Sequence, residues 1–191
     1  MYLKRNDELA VLELYLGSYT RQFYLREISR QAKLPVKTTQ NVVGRLEQGR
    51  ILRSISKGKN KYFALNRDNV ETKFCLMQAE LQRTLRFLSV YPVFKLFLKE
   101  VKTSTALVVF GSFAGFMVDK DSDVDLLVVA GVKEKFPFHL LPHSVHEVFL
   151  SEGEFEEAMR KEEALLGEIA EKHIVLNNHS FFVNEMWDHA K

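Results

Sequence analysis

The sequence predicts an α+β protein with a small helical region and a β-hairpin first, a long connecting helix next, and a small α/β domain with a mixed sheet last. Three observations predict this order. Short apolar helical repeats precede residue 66, a stretch without Gly or Pro covers residues 69–90, and apolar strands alternate with turns from residue 105 onward. The predicted segments are therefore 1–66, 67–103 and 104–191.

Charge is divided unevenly along the chain. The 191 residues contain 27 Lys+Arg and 25 Asp+Glu, a net charge of +2. Residues 1–66 hold 13 basic and 5 acidic side chains, a net of +8, and the remaining 14 basic and 20 acidic side chains give −6. A basic region followed by an acidic one favours two units with different partners.

Membrane and disulfide classes are disfavoured by the composition. No apolar run approaches the ~18–20 residues that span a bilayer. Asp7, Glu8 and Glu13 interrupt the N-terminal apolar stretch, which is therefore unlike a signal-peptide core. The single cysteine, Cys75, excludes an internal disulfide and metal sites built on CxxC pairs. We therefore expect a cytoplasmic protein without a membrane partner.

Three short helices are predicted in the basic region. Leu9, Leu12 and Leu16 recur at helical spacing, which predicts a helix over 7–16 with Asn6 as its cap. Leu25, Ile28 and Ala32 mark a second helix. Pro35 suits the first turn of a third, which runs to Gly49. The second and third helices around a tight turn are typical of a helix-turn-helix.

A basic hairpin is predicted directly afterwards. Residues 51–56 and 61–65 are strand-like and flank the turn Lys57–Lys61, which carries three lysines. Together with the helices, this hairpin resembles the winged-helix family of DNA-binding domains over residues ~6–66. In that family the third helix enters the major groove and the wing touches the backbone or minor groove.

The winged-helix resemblance implies double-stranded DNA as a partner. Gln and Asn can pair with adenine edges, Arg with guanine or phosphate, and Lys with phosphate. The candidate DNA-binding residues are Lys37, Thr38, Gln40, Asn41 and Arg45 on the third helix, with Lys57, Lys59 and Lys61 on the hairpin. The alternative is a domain of the same kind that contacts a protein or forms a dimer.

The connecting helix has one apolar stripe. Its members recur every three or four residues: Val70, Phe74, Met77, Leu81, Leu85 and Leu88. Pro92 follows, and a second helical segment runs from Val93 to Val101. The stripe needs a partner surface, either the next domain or the same helix of a second subunit. Because winged-helix proteins commonly read two half-sites as dimers, we expect a homodimer.

Residues 105–131 carry the most informative pattern. A strand from Thr105 to Phe110 ends at Gly111-Ser112, a turn that can offer backbone N–H groups and a hydroxyl to a phosphate. Alternation along the next strand places Asp123 and Asp125 on one face. Carboxylates entering an apolar strand are costly unless paired or metal-bound, and oxygen ligands favour Mg²⁺ or Mn²⁺. The alternative is a solvated start of the strand.

Gly111-Ser112, ten intervening residues and then Asp123-Val124-Asp125 resemble the nucleotidyltransferase superfamily related to polymerase β, especially its minimal prokaryotic members. The resemblance implies that Gly111 and Ser112 hold a nucleoside triphosphate and that Asp123 and Asp125 bind Mg²⁺ or Mn²⁺.

The same resemblance implies a third carboxylate on a neighbouring strand, as a metal ligand or general base. Glu147 in Val145–Leu150 is the candidate, so the catalytic and metal-binding set is Asp123, Asp125 and Glu147. His146 competes from the opposite strand face, and an edge-strand charge is the alternative role of Glu147. Minimal members usually have Ala-Arg-Gly after Gly-Ser-x, whereas this chain has Ala114-Gly115-Phe116 and lacks the arginine.

Two functions are compatible with these patterns. The first is Mg-dependent transfer of NMP from an NTP to a hydroxyl on a protein or small-molecule acceptor, combined with DNA binding. The family that this chain resembles includes antitoxins that adenylylate a partner toxin. The second is a DNA-binding regulator, antitoxin-like, whose nucleotidyltransferase-like domain senses a nucleotide or a partner without catalysis.

The C-terminal region is predicted to be structural. Ser151 and Glu154 fit a capping box that begins a helix of roughly 20 residues. Ile174–Leu176 is predicted to be a short edge strand, and Phe181–Trp187 a terminal helix.

Overall fold

The computed structural model describes residues 6–102, 104–141 and 143–190. The chain divides into two compact units, one that ends at Ala79 and includes Ala190, and one from Glu80 to His189. The predicted segment limits at residues 1, 103 and 191 lie outside the described residues. Within the described part of the chain, no helix combines the length and apolar character needed to cross a membrane.

Residues 6–69 of the first unit contain three α-helices and a three-stranded antiparallel sheet of order β1-β3-β2. Its elements are α1 (Asp7–Leu12) with a 3-10 turn (Glu13–Tyr15), β1 (Gln22–Tyr24), α2 (Leu25–Gln31), α3 (Val36–Gln48), β2 (Leu52–Lys57) and β3 (Asn60–Leu65). The three helices and the hairpin agree with the sequence prediction. Strand β1 was not predicted, because three residues are too short to show an alternating pattern.

Local signals in the sequence explain these boundaries. The Asn6 side chain accepts hydrogen bonds from the backbone N–H groups of Glu8 and Leu9, at 3.0 and 3.3 Å, and so caps α1. Gly58, with φ +59°, forms the two-residue hairpin turn, and Lys57 pairs with Asn60. The hairpin is therefore tighter than the predicted five-residue turn.

Helix α4 (Val70–Val90) agrees with the predicted long helix, but its buried face is different from the predicted stripe. Leu76, Ala79 and Phe87 are fully buried. Four members of the stripe are exposed, namely Val70, Phe74, Leu81 and Leu85. Both faces have helical spacing, so periodicity alone could not tell which one packs on the core.

The second unit is a mixed sheet of order β6-β5-β4-β7 with helices around it. Its further elements are α5 (Val93–Glu100), β4 (Ala106–Phe110), α6 (Gly111–Ala114), β5 (Val124–Val129), β6 (Val145–Leu150), α7 (Glu152–Arg160), α8 (Ala164–Glu171), β7 (Ile174–Asn177) and α9 (His179–His189). Strands β5 and β6 are parallel, and the other pairs are antiparallel. This confirms the predicted mixed sheet.

The sheet buries both of its faces. Leu107, Val109 and Leu126 belong to a core that also contains aromatic side chains of the neighbouring helices: Phe87, Phe94, Phe97 and Phe113. Val108 and Leu127 alternate to the other face and are also fully buried. Helix α7 packs against β6, and α9 packs against β4 and β7. This rigid sheet supports the turn and the strand start described below.

The C-terminal region matches the prediction except in one helix. Ser151 and Glu154 form the predicted capping box. The single helix of roughly 20 residues is wrong, because α7 ends at Arg160 and α8 begins at Ala164. Glu162 adopts φ +55° between them, which interrupts helical geometry. The predicted edge strand and terminal helix correspond to β7 and α9.

Candidate active site

Gly111 joins β4 to α6 in a conformation that only glycine adopts easily. Its φ is +66°, in the left-handed region. A Cβ atom built on Gly111 would lie 2.2 Å from Oδ2 of Asp125, far inside van der Waals contact. The pairing of Phe110 with Asp125 across β4 and β5 produces this close approach. The chain therefore needs glycine here for both backbone conformation and space.

Ser112 follows in the first turn of α6, where helical N–H groups have no partner within the helix. The next residue, Phe113, is buried and fixes this turn to the core. Its ring centroid lies 5.2 Å from that of Tyr91 and 5.7 Å from that of Phe94. The chain then folds back, and the N–H of Met117 donates to the carbonyl of Ser112 at 3.0 Å. The packing of Phe113 and the hydrogen bond from Met117 thus hold the turn in place.

The two aspartates lie at the beginning of β5. Val124, between them, is buried, and its N–H donates to the carbonyl of Ser144 at 2.8 Å. Asp123 is exposed, whereas the Asp125 side chain is 28% exposed. Asp123 directly precedes β5 and Asp125 is the second residue of the strand, so alternation favours one face for both side chains.

A tight turn leads into this strand. The Ser122 hydroxyl donates to Oδ1 of Asp119 at 2.9 Å, and the same oxygen accepts from the N–H of Asp121 at 3.1 Å. These bonds fix the path of the chain just before Asp123.

His146, and not Glu147, lies beside Asp125. The parallel register pairs Asp125 with His146 and Leu126 with Glu147. Nδ1 of His146 is 3.2 Å from Oδ1 of Asp125, and the imidazole is 66% exposed. Glu147 therefore shares the Leu126 face of the sheet, on the far side from the aspartates. The structure does not bring Glu147 to the predicted site, and strand alternation is the physical reason.

Glu147 has an unusual environment of its own. Its Oε1 atom is buried and has no hydrogen-bond partner among the described residues. It lies between Val145 and Phe149 on the same strand face, and both of these side chains pack against the apolar core. Glu147 is thus an isolated acid on an apolar face.

Two further side chains stand next to the Gly-Ser turn, and the sequence patterns did not single out either for this site. The His143 ring packs edge-on against Phe113, with 5.2 Å between centroids. Arg86 places its guanidinium 5.6 Å from the centroid of Phe116. Phe116 has φ +56° and follows Gly115, where minimal nucleotidyltransferases usually have arginine. Only the folded chain brings Arg86 near this segment, so no linear spacing could have indicated it.

Comparison with known families bears directly on this geometry. Residues 93–184 match the family model of the nucleotidyltransferase domain. The match contains Gly111, Ser112, Asp123 and Asp125, and it supports nucleotidyl transfer as the general activity. No curated protein and no solved structure shows a significant match to the chain.

The segment that matches the nucleotidyltransferase model offers oxygen ligands for a divalent cation. In the described ranges 6–102, 104–141 and 143–190, no three His, Cys, Asp or Glu side chains form a group that could hold a metal ion. Mg²⁺, however, is usually bound by one or two carboxylates together with substrate phosphates. Asp123 and Asp125 fit that pattern, and the missing side chain at Gly111 lets Oδ2 of Asp125 lie directly against the turn.

Most of the predicted DNA-binding residues are on the surface of the first unit. Lys37, Gln40 and Asn41 of α3 and Lys59 at the hairpin tip are exposed, and Thr38 is half-buried. The Lys57 ammonium lies 5.6 Å from the Tyr62 ring centroid.

Two of these basic side chains are engaged within the unit. Nε of Arg45 is 2.6 Å from Oε1 of Glu8, and Nζ of Lys61 is 3.0 Å from Oε2 of Glu47. Hydrogen bonds from Ser54 and then Lys61 lower the pKa of Glu47. Glu8 and Glu47 therefore compete with phosphate for Arg45 and Lys61.

Proposed function

We propose that the nucleotidyltransferase domain transfers NMP from a nucleoside triphosphate to a hydroxyl acceptor in a Mg²⁺- or Mn²⁺-dependent reaction. The contact between Gly111 and Asp125 carries this proposal. It places a glycine turn suited to phosphate directly against a carboxylate suited to a cation. The family match over residues 93–184 supports the same activity.

Each group has a distinct role in the proposed reaction. Backbone N–H groups at Gly111 and Ser112, with the Ser112 hydroxyl, bind the triphosphate. Asp123 and Asp125 hold the cation, which neutralises charge on the phosphates when it is bound. The acceptor hydroxyl loses its proton to solvent, its oxygen forms a bond to the α-phosphorus, and the bond from that phosphorus to the pyrophosphate oxygen breaks. Positioning and charge stabilisation supply most of the rate.

The proposal is tested by transfer of label from NTPs to cell extract. The pure protein with Mg²⁺ should label an acceptor, either a protein or a small molecule, and Asp123→Asn with Asp125→Asn should abolish labelling. Asp121→Asn is the matched control, because Asp121 is an exposed acid in the adjacent turn. Equal labelling by the double variant would refute the assignment.

The sensor function is the second candidate, and the missing arginine after the Gly-Ser turn favours it. A sensor would bind a nucleotide at the same residues without turnover, and the nucleotide would alter DNA affinity. Equilibrium dialysis with a labelled NTP separates the two. Binding without transfer to any acceptor would support the sensor, and binding with transfer would support the enzyme.

We also propose that the first unit is a winged helix-turn-helix that binds double-stranded DNA. The order of α2, α3 and the β2–β3 hairpin supports this proposal, as does the exposure of Lys37, Gln40, Asn41 and Lys59. Lys59→Ala should weaken binding uniformly across sequences and lower the slope of log affinity against log salt by about 1. Glu47→Gln, which frees Lys61, should not weaken it. Salt-independent binding would contradict the proposal.

The homodimer remains a prediction of the sequence. Light scattering of the full chain at several concentrations tests it, with and without operator-length DNA.

A further inference from the structure

The residue beside Asp125 on the neighbouring strand determines how much negative charge the site can present. Strands β5 and β6 are parallel and in register, so this position belongs to His146. The contact between Nδ1 of His146 and Oδ1 of Asp125, at 3.2 Å, shows that the two side chains share one face. A third carboxylate at this point would need an acid at residue 146.

Glu147, the alternative acid on β6, cannot supply a third carboxylate from its position in the sheet. Glu147 pairs with Leu126, which is buried in the core on the opposite face. Bringing its carboxylate to Asp125 would require a one-residue shift of β6, which would also turn Val145 and Phe149 away from the core. The register is therefore fixed by apolar burial, and Glu147 stays on the far face.

Charge then limits the number of cations. Two divalent ions bound about 3.5–4 Å apart repel strongly, and protein carboxylates must offset the part of that repulsion that the substrate phosphates do not. The site offers the two carboxylates of Asp123 and Asp125, and one oxygen of Asp125 already contacts His146. An imidazole adds no negative charge, whether it is neutral or protonated.

We infer that this nucleotidyltransferase domain takes a single divalent cation, because His146 stands where a third carboxylate would complete a two-ion site. The inference rests on the proposed function, since it concerns the cation of the same reaction. His146 acts as a positioning residue that donates a hydrogen bond to Asp125 and orients its carboxylate. Partners of this kind commonly change metal affinity by about 10–100-fold when they are removed.

The test counts Mn²⁺ ions bound to the full chain and does not depend on activity. Isothermal titration calorimetry gives the stoichiometry, and electron paramagnetic resonance distinguishes an isolated Mn²⁺ from an exchange-coupled pair. Both are measured with a non-hydrolysable ATP analogue. The wild type should bind one ion per chain with the spectrum of an isolated ion. His146→Asp should bind two ions and show exchange coupling.

Matched variants separate the possible causes. Asp121→Asn should leave the count at one, and Glu147→Gln should do the same because its side chain is on the other face. His146→Ala should still bind one ion, but about 10–100-fold more weakly, and His146→Asn should recover part of that loss through its side-chain N–H. Circular dichroism checks that each variant folds. The His146 variants are expected to fold, because the His146 side chain is 66% exposed.

The possible results affect the single-ion inference, the role of residue 146 and the proposed function differently. Two coupled ions in the wild type would overturn the single-ion inference and leave the proposed function intact. A count of one in folded His146→Asp would overturn the role given to residue 146. No ion bound by the wild type, even with the nucleotide analogue, would overturn the inference and the proposed function together.

Discussion

Gly111 is the residue on which the geometry of the site depends most directly. Its φ of +66° costs a residue with a side chain roughly 1–2 kcal/mol. A Cβ would also collide with Asp125 at 2.2 Å, so the carboxylate must move. We expect Gly111→Ala to lose cation binding, because the Asp125 carboxylate turns away, and to lower the free energy of unfolding by about the conformational cost. Urea denaturation and Mn²⁺ titration measure both effects.

The control for this substitution is Gly131→Ala. A Cβ at Gly131 meets no atom within 4 Å. Its stability and cation binding should match the wild type. Normal cation binding by Gly111→Ala would show that the close approach to Asp125 is unimportant.

A buried pair in the second unit gives a second prediction at the residue scale. Oε1 of Glu80 is 2.7 Å from Nε2 of His173, and both side chains are fully buried. Nδ1 of His173 faces backbone carbonyls at 3.2 and 2.9 Å, so Nδ1–H donates there, while Nε2 makes the contact with Glu80. Glu80→Ala should destabilise the protein by about 1–3 kcal/mol, because it leaves a buried imidazole nitrogen without its hydrogen-bond partner.

Glu80→Gln keeps a polar partner for His173 and should cost less than Glu80→Ala. Chemical denaturation of both variants at one pH makes the comparison. Equal losses would mean that packing volume, and not the hydrogen bond, is responsible.

His179 makes stability depend on pH. Burial lowers the pKa of His179 below its ordinary value of 6.5, and the nearby Glu80 partly opposes this shift. Nε2 of His179 shares a hydrogen bond with the hydroxyl of Thr84 at 3.0 Å. Because the unfolded chain binds the proton more readily, this contribution to stability is full above pH 6.5 and declines as pH falls below that value.

Unfolding free energies at pH 7.5 and pH 5.5 test this direction. The wild type should lose more stability between these values than His179→Gln, which cannot titrate there. A larger loss in the variant would contradict the burial argument.

The residues of the site differ in how far local sequence determines their position. The Gly-Ser turn and both aspartates were predictable, because their spacing and the adjacent apolar strands are local features. The choice between His146 and Glu147 was not, because it depends on which face of β6 meets Asp125. That face is set by the parallel pairing with β5, a tertiary contact between distant segments.

In helix α4, too, local sequence does not determine which face packs on the core. Its existence and length followed from the absence of Gly and Pro, but its buried face did not. Leu76 is fully buried, whereas Leu81 is 44% exposed. Leu76→Ala should therefore cost about 2–5 kcal/mol, and Leu81→Ala much less in the monomer. Thermal unfolding at low protein concentration measures the difference.

Measuring unfolding at several protein concentrations tests whether the exposed stripe of α4 packs in a homodimer. If Leu81 packs in a homodimer, Leu81→Ala becomes destabilising as protein concentration rises. The same losses for Leu76→Ala and Leu81→Ala at every concentration would contradict the assignment of the buried face.

At the scale of the whole molecule, the charge division corresponds to two different kinds of surface. The net of +8 in residues 1–66 includes the exposed Lys37 and Lys59, although Arg45 and Lys61 are paired with acids. The net of −6 in the remainder includes Asp123 and Asp125, and a bound cation would offset part of their charge. DNA binding and nucleotidyl transfer are thus proposed for separate units.

The two proposed activities can therefore be separated by mutation. Substitutions at Lys59 should leave nucleotidyl transfer unchanged, and substitutions at Asp123 or Asp125 should leave DNA affinity unchanged in the absence of nucleotide.

Transfer of phosphorus from a labelled NTP to an acceptor tests the central claim most directly. Parallel reactions contain the pure protein, Mg²⁺, cell extract and one NTP labelled either at the α- or at the γ-phosphate. Nucleotidyl transfer predicts label on the acceptor from the α-phosphate only, with the γ-label released in pyrophosphate, and no label with Asp123→Asn/Asp125→Asn. Label from the γ-phosphate, or equal α-labelling by the double variant, would contradict nucleotidyl transfer at this site.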